Sequence, residues 1–277
     1  MLKRFVWIVR IAFAQALSLL PSPLRKPVYR VLYGYRFGKN VKLGIGVAFV
    51  GVGRCEIGDN VRIKHLTQFW TVRELIIGDH VRIGHLNLFR GGNKIELSPY
   101  VTILRLNVFN SIEKPDVVNE TDPQLFLGSG VFVSSSHWLD FTDRISIGPH
   151  SVIGGRSSSF WTHNRQRTRP ITIGSHCYLG SEVRVAPGVD LEEFCIVALG
   201  AVLMGKYPAT RSLIAGNPSV VVRELSPRDL FLTVRKTRND IPDSESLAAV
   251  PEDLLTSIKG DASMQLIVEM EENAVSF

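Results

Sequence analysis

The chain has 277 residues, 45% of them apolar, and a formal net charge of +6, enough for one sizeable core with appendages. Its three cysteines, Cys55, Cys177 and Cys195, are sparse and odd in number, which excludes a disulfide scaffold; none has zinc spacing, and a reducing compartment fits. Charge is uneven: residues 1–40 carry eight basic residues and no acid, whereas residues 224–277 carry eleven acids and five bases, so the basic end needs an anionic partner.

Residues 3–20 read KRFVWIVRIAFAQALSLL, and Pro21, Pro23 and Pro27 end the segment. Phe5, Ile8, Val9, Ala12, Phe13, Ala16 and Leu20 share one face of a helix. The apolar run is interrupted by Arg10 and too short to span a bilayer. Three readings stay open: an interfacial helix laid on an anionic membrane surface through residues 1–22, a helix packed on protein or on an oligomer partner, and a signal peptide. Arg10 counts against the last. Nucleic acid is not expected, since no recognition motif or aromatic–basic platform is present. A second helix over Leu24–Tyr35 completes an N-terminal helical segment, residues 1–37.

From Gly38 aliphatic and aromatic residues recur every sixth position: Val41 and Val47, then Ile57, Ile63 and Phe69, then Ile77, Ile83, Phe89, Ile95 and Val101. Residues 107–124 are polar, contain two prolines and read as an irregular loop. The beat returns at Leu127, Val133 and Leu139, then at Ile147, Ile153 and Ser159. It is most regular at Ile173, Leu179, Val185, Leu191, Val197 and Leu203. Such a period fits no helix face and marks a repeat architecture: an all-β parallel β-helix over residues 38–224 with three short strands, about 18 residues, per coil. Between Ser159 and Ile173 the beat slips by eight residues, so a loop at 163–170 leaves the coil. One insertion on a regular frame is where a site is expected. Residues 225–277 lose the beat; Pro227–Arg238 reads as a helix and the remainder as a helical or partly disordered extension.

The segments Thr162-His163, Pro170-Ile171-Thr172-Ile173-Gly174, Tyr178-Leu179-Gly180, Pro187-Gly188-Val189, Val197 through Leu203 and Ala215-Gly216-Asn217-Pro218 through Arg223 form an ordered set. Together they resemble the hexapeptide-repeat acyltransferases, and His137–Thr162 resembles members of surface-polysaccharide biosynthesis. The resemblance implies a left-handed coil, a homotrimer, and an active site between neighbouring subunits. It further implies transfer of an acetyl group from acetyl-CoA to a hydroxyl of a sugar or glycan acceptor, without a metal and at the cytoplasmic face of a membrane. His163 matches the family's general base. Removing a hydroxyl proton near neutral pH suits an imidazole. His137, Asp140, Trp161 and Arg165 are candidates for binding the acceptor, Asp140 equally for orienting the base. Ser181, Gly200, Ala201 and Arg223 match positions beside CoA, and Lys206 stands in for a usual lysine nearby. Acylation of an amino sugar and a non-catalytic scaffold remain alternatives. His80 and His85, five apart, lack a third ligand in register, so no metal site is expected.

Overall fold

The six-residue beat becomes a three-sided coil in the computed structural model, which describes residues 2–112, 119–247 and 250–260. Short strands stack into three sheets, of nine, ten and eight strands among the described residues. The first face runs from Arg36–Phe37 to Lys206–Tyr207 and the second from Lys42–Leu43 to Ser219–Glu224. The third runs from Ala48–Val50 to Val202–Leu203. This is a parallel β-solenoid with three faces. Beat residues point inward, so Ile57, Ile77, Leu97, Leu127, Ile147, Ile173 and Leu191 form one buried column. Corners turn through left-handed backbone at Asn60, His80, Tyr100, His150 and His176. Asparagine tolerates that conformation; the aromatic corner residues instead stack, His80 on Tyr100 at 5.0 Å and His176 on Phe194 at 4.9 Å.

The coil is longer than the beat alone implies. Arg54 pairs with Glu74 and Lys94 with Glu74, a repeat of 20 residues, and the tighter spacing appears only from Thr172, which pairs with Asp190. The early coils lengthen their third side with an extra corner at Gly51, Thr71 and Gly91, all at positive φ. The wider triangle houses a phenylalanine stack. Phe49, Phe69, Phe89 and Phe109 lie face to face with centroids 5.1, 4.8 and 4.5 Å apart. The excursion read over 107–124 is also narrower, because Val108–Asn110 is a third-face strand and Gln124 opens the next coil. Residues 113–118 of that excursion lie outside the described residues.

Helix α1 (Leu2–Ser18) lies along the third face and α2 (Ser22–Tyr33) follows it, closed by Gly34 at φ 67°. The face of α1 that docks is not the one read from the sequence. Ala14, Leu17 and Ser18 are buried and Trp7 and Ile11 pack on Ala48 and Val50. Ile8 and Val9, 62% and 50% exposed, point outward with Phe13 and Leu20. The helix is apolar on two sides, and small Ala14 fits the sheet more closely than the larger residues do. The Phe5 side chain, also placed on that outer face, lies outside the described ones. Buried Arg25 ties the assembly together: its guanidinium donates to the carbonyls of Ser18 at 2.6 Å, Val47 at 3.2 Å and Gly44 at 2.5 Å.

After the last coil, α3 (Pro227–Val234) starts at a Ser226–Asp229 capping box, and α4 (Asp243–Ser246) and α5 (Glu252–Gly260) follow. This extension doubles back over the corner stack. His176 Nδ1 donates to the Thr233 carbonyl at 3.1 Å, and Arg238 donates to the carbonyls of His80 at 2.9 Å and Tyr100 at 3.2 Å. The tail read beyond residue 260 lies outside the described residues.

Candidate active site

The eight-residue slip folds into a tight hairpin at the corner between the third and first faces. Thr162 accepts from the Arg169 amide at 2.8 Å and His163 bridges to Thr168. Asn164 shapes the tip, its Oδ1 accepting the amides of Gln166 at 2.8 Å and Arg167 at 2.9 Å; such turns suit asparagine. The hairpin lays His163 over Asp140 of the preceding coil, with Nδ1 and Oδ1 3.0 Å apart. The pair is nearly enclosed, the side chains 11% and 1% exposed.

Further bonds fix Asp140. Oδ1 accepts the Thr142 amide at 3.1 Å, and the Thr162 hydroxyl donates to the Asp140 main-chain carbonyl at 2.9 Å and lies 3.4 Å from Oδ1. Because a carboxylate accepts, His163 carries its proton on Nδ1 and leaves the Nε2 lone pair to take one. The negative charge also stabilises the imidazolium formed when it does. Asp140 Oδ2 is buried with no partner, so the charge has no nearer competitor than the ring.

His163 opens onto a cleft of 380 Å³ lined by Trp161, Asn164, Arg184, Val185, Ala186, Pro187 and Val202. Trp161 stacks on Trp138 with centroids 6.0 Å apart, both partly exposed. Arg184 is held at the rim by a 2.6 Å bond to the Ser157 carbonyl. The structure thus brings together His163, Asp140 and Trp161; Arg165 sits exposed on the hairpin beside them.

His137 goes elsewhere. It is buried inside the coil in a polar ladder with Asn87, Asn107 and Ser158. Its amide donates to Asn107 Oδ1 at 2.9 Å and its Nδ1 accepts the Ser158 amide at 3.1 Å. Burial pushes the ring's pKa down to about 4. The reason is parity: Leu139 points inward, so His137 does too, and Trp138 and Asp140 face out. Parity is also the signal that finds Arg184, which precedes the inward Val185.

The residues matched to CoA do not converge within one chain. Ser181 and Gly200 form the corner between the second and third faces, where the Gly200 amide donates to the Ser181 carbonyl at 3.0 Å. Ala201 is buried beneath them. Lys206 lies on the first face, 3.8 Å from Asp190. Arg223 is on the closing antiparallel strand, paired with Asp229 at 2.8 Å. The three cysteines are free and buried.

No family profile matches the chain. It is 33% identical over 125 residues to the putative colanic acid biosynthesis acetyltransferase WcaF of Escherichia coli, a match covering 42% of this chain and 66% of that one. The chain therefore spans just under two thirds of the length of that relative. A putative acetyltransferase of Saccharomyces cerevisiae, YJL218W, is 33% identical over 64 residues, covering 23% and 32%. Among solved structures, the polysialic acid acetyltransferase NeuO aligns with a TM-score of 0.41 at 14% identity over 80% of this chain and 91% of that one.

Proposed function

We propose that this chain, which belongs to the hexapeptide-repeat acetyltransferase family, transfers an acetyl group from acetyl-CoA to a hydroxyl of a sugar or polysaccharide precursor. The observation that carries the reading is the His163–Asp140 pair, 3.0 Å apart at the mouth of a cleft. His163 Nε2 takes the acceptor hydroxyl proton as its oxygen attacks the thioester carbonyl carbon. The tetrahedral oxyanion collapses, the carbon–sulfur bond breaks, and the leaving thiolate receives the proton from the imidazolium. No covalent intermediate is required, in keeping with cysteines buried away from the cleft. Asp140 acts as the positioning residue that fixes the tautomer.

The donor site is shared between subunits of a homotrimer. Ser181, Gly200 and Ala201 lie at a different corner from His163, so packing chains side by side closes a groove that one chain leaves open. Leu199, 71% exposed, adds apolar contact surface at that corner, and Met204, 61% exposed, does so at the other end of the third-face strand.

The N-terminal helices rest on an anionic membrane surface. Their outer side shows Ile8, Val9, Leu19, Leu24, Val31 and Leu32 to solvent, in a region with eight basic residues and no acid. No described helix is long and apolar enough to cross a membrane.

Release of CoA thiol is measured with acetyl-CoA and a panel of sugar nucleotides and lipid-linked sugars, comparing wild type with His163→Ala. Turnover unchanged in the variant refutes the assignment of the base.

A further inference from the structure

We infer that the channel between α1 and the third face is an acceptor subsite for an oligosaccharide, one of whose hydroxyls reaches His163. The inference rests on the acyl-transfer reading and adds that the acceptor is longer than one sugar.

The channel has a volume of 940 Å³ against 380 Å³ for the cleft at His163. Trp7, Gln68, Trp70, Arg90, Asn110 and Ser111 line it. It is in register with the reacting pair. Trp70 pairs with Arg90, Arg90 with Asn110, and Asn110 with Asp140, in one outward column of the third face. Asp140 in turn pairs with Trp161. Three coil steps separate Trp70 from Asp140, about 14 Å at the usual strand spacing. One sugar ring at His163 leaves the channel unfilled; a chain of them runs along it.

The lining matches carbohydrate chemistry. A sugar offers C–H faces to aromatic rings and hydroxyl edges to amides and guanidinium groups. The Trp70 ring is held before any ligand arrives, its Nε1 donating to Gln68 Oε1 at 3.1 Å. Gln68 is itself fixed, donating to the Gly46 carbonyl at 2.7 Å and accepting from Gln15 of α1 at 2.9 Å. Trp7 closes the other wall over Gly51, where a Cβ would come within 2.8 Å of the indole. A ring with a fixed plane loses little entropy on stacking. An acyl chain is the less suitable occupant, because Arg90, Asn110 and Ser111 would be desolvated without partners in it.

The test uses the full chain and linear oligosaccharides, from mono- to hexasaccharide, prepared from bacterial exopolysaccharides. Binding is followed by tryptophan fluorescence and turnover by CoA thiol release. The wild type should bind hexasaccharide roughly tenfold or more tighter than monosaccharide. Trp70→Ala and Arg90→Ala should each remove most of that length dependence, raising KM for the long acceptor far more than for the short one. Arg90 is exposed, so its variant keeps the inference testable if Trp70→Ala disturbs the seat of α1. Equal affinity for short and long acceptors, length dependence surviving in both variants, or no saccharide binding at all overturns the channel, whatever His163→Ala does. Length-dependent binding lost in the variants, in a wild type that transfers no acetyl group, upholds the channel and removes the acyl-transfer reading alone.

Discussion

Acid loosens this fold through two imidazoles that have no use for a second proton. His137 lies in the polar ladder and His176 in the corner stack, and burial lowers both from the usual 6.5 to about 4. His176 donates from Nδ1, so its second proton goes on a buried Nε2 with no partner, whereas His137 accepts at Nδ1, so its second proton would face the Ser158 amide donor. In the unfolded chain both titrate near 6.5. Their contribution is therefore complete above that pH, declines as the pH falls, and stops changing below about 4. Each costs about 1.4 kcal/mol per pH unit in that window, about 2 kcal/mol at pH 5 and about 4 kcal/mol for the pair. Two variants isolate the effect. His137→Asn copies Asn107 one coil earlier, and His176→Phe keeps the ring between His150 and Phe194. Urea unfolding at pH 7 and pH 5 should show the double variant losing about 4 kcal/mol less than wild type over that interval. Carboxylates titrate alike in both proteins and cancel. Parallel pH profiles for wild type and double variant refute the argument.

Other outcomes follow from the geometry. His163→Ala should lower kcat about 10²- to 10⁴-fold with the circular dichroism spectrum unchanged, and Asp140→Asn should do so mainly through kcat, since it loosens the ring while leaving the cleft intact. Phe89→Ala, which opens a hole between Phe69 and Phe109, should cost about 3–5 kcal/mol in urea unfolding. Arg25→Met strips donors from three carbonyls and should cost about 3 kcal/mol or more, read as a lower melting temperature. Ile8→Glu with Leu19→Glu, both at exposed positions, should abolish co-sedimentation with phosphatidylserine vesicles without lowering the melting temperature.

The beat of six disclosed the coil because one inward side chain per strand is enough to declare a face. It under-read the coil's length, because Val52 and Val72 add a second buried residue on the third side and fall off the beat. His163 was legible from the slip after Ser159, and Asp140 was visible as a candidate partner. Their contact was not, since it depends on the hairpin folding back across a coil boundary. His137 was misplaced through neglect of alternation, which Leu139 alone supplies. For α1 the apolar face chosen by size is the outer one, because what docks is set by the shape of the sheet at Ala48 and Gly51. Nothing in the sequence brings Trp7 to Trp70; only the helix seat does.

The C-terminal extension gives the coil a property that stacking alone lacks. A solenoid is held by contacts between neighbouring turns, so it frays from its ends one turn at a time. Here Thr233 holds His176, Glu245 holds Ser129 and His150, and Arg238 and Asp240 reach back to His80 and Arg82. Asp253 returns to Arg211 at the far end. Peeling the last turns therefore means releasing a cord laced across turns distant in sequence. Unfolding of the half that bears His163 becomes one concerted event, and the histidine stays in register with its aspartate until the whole half lets go.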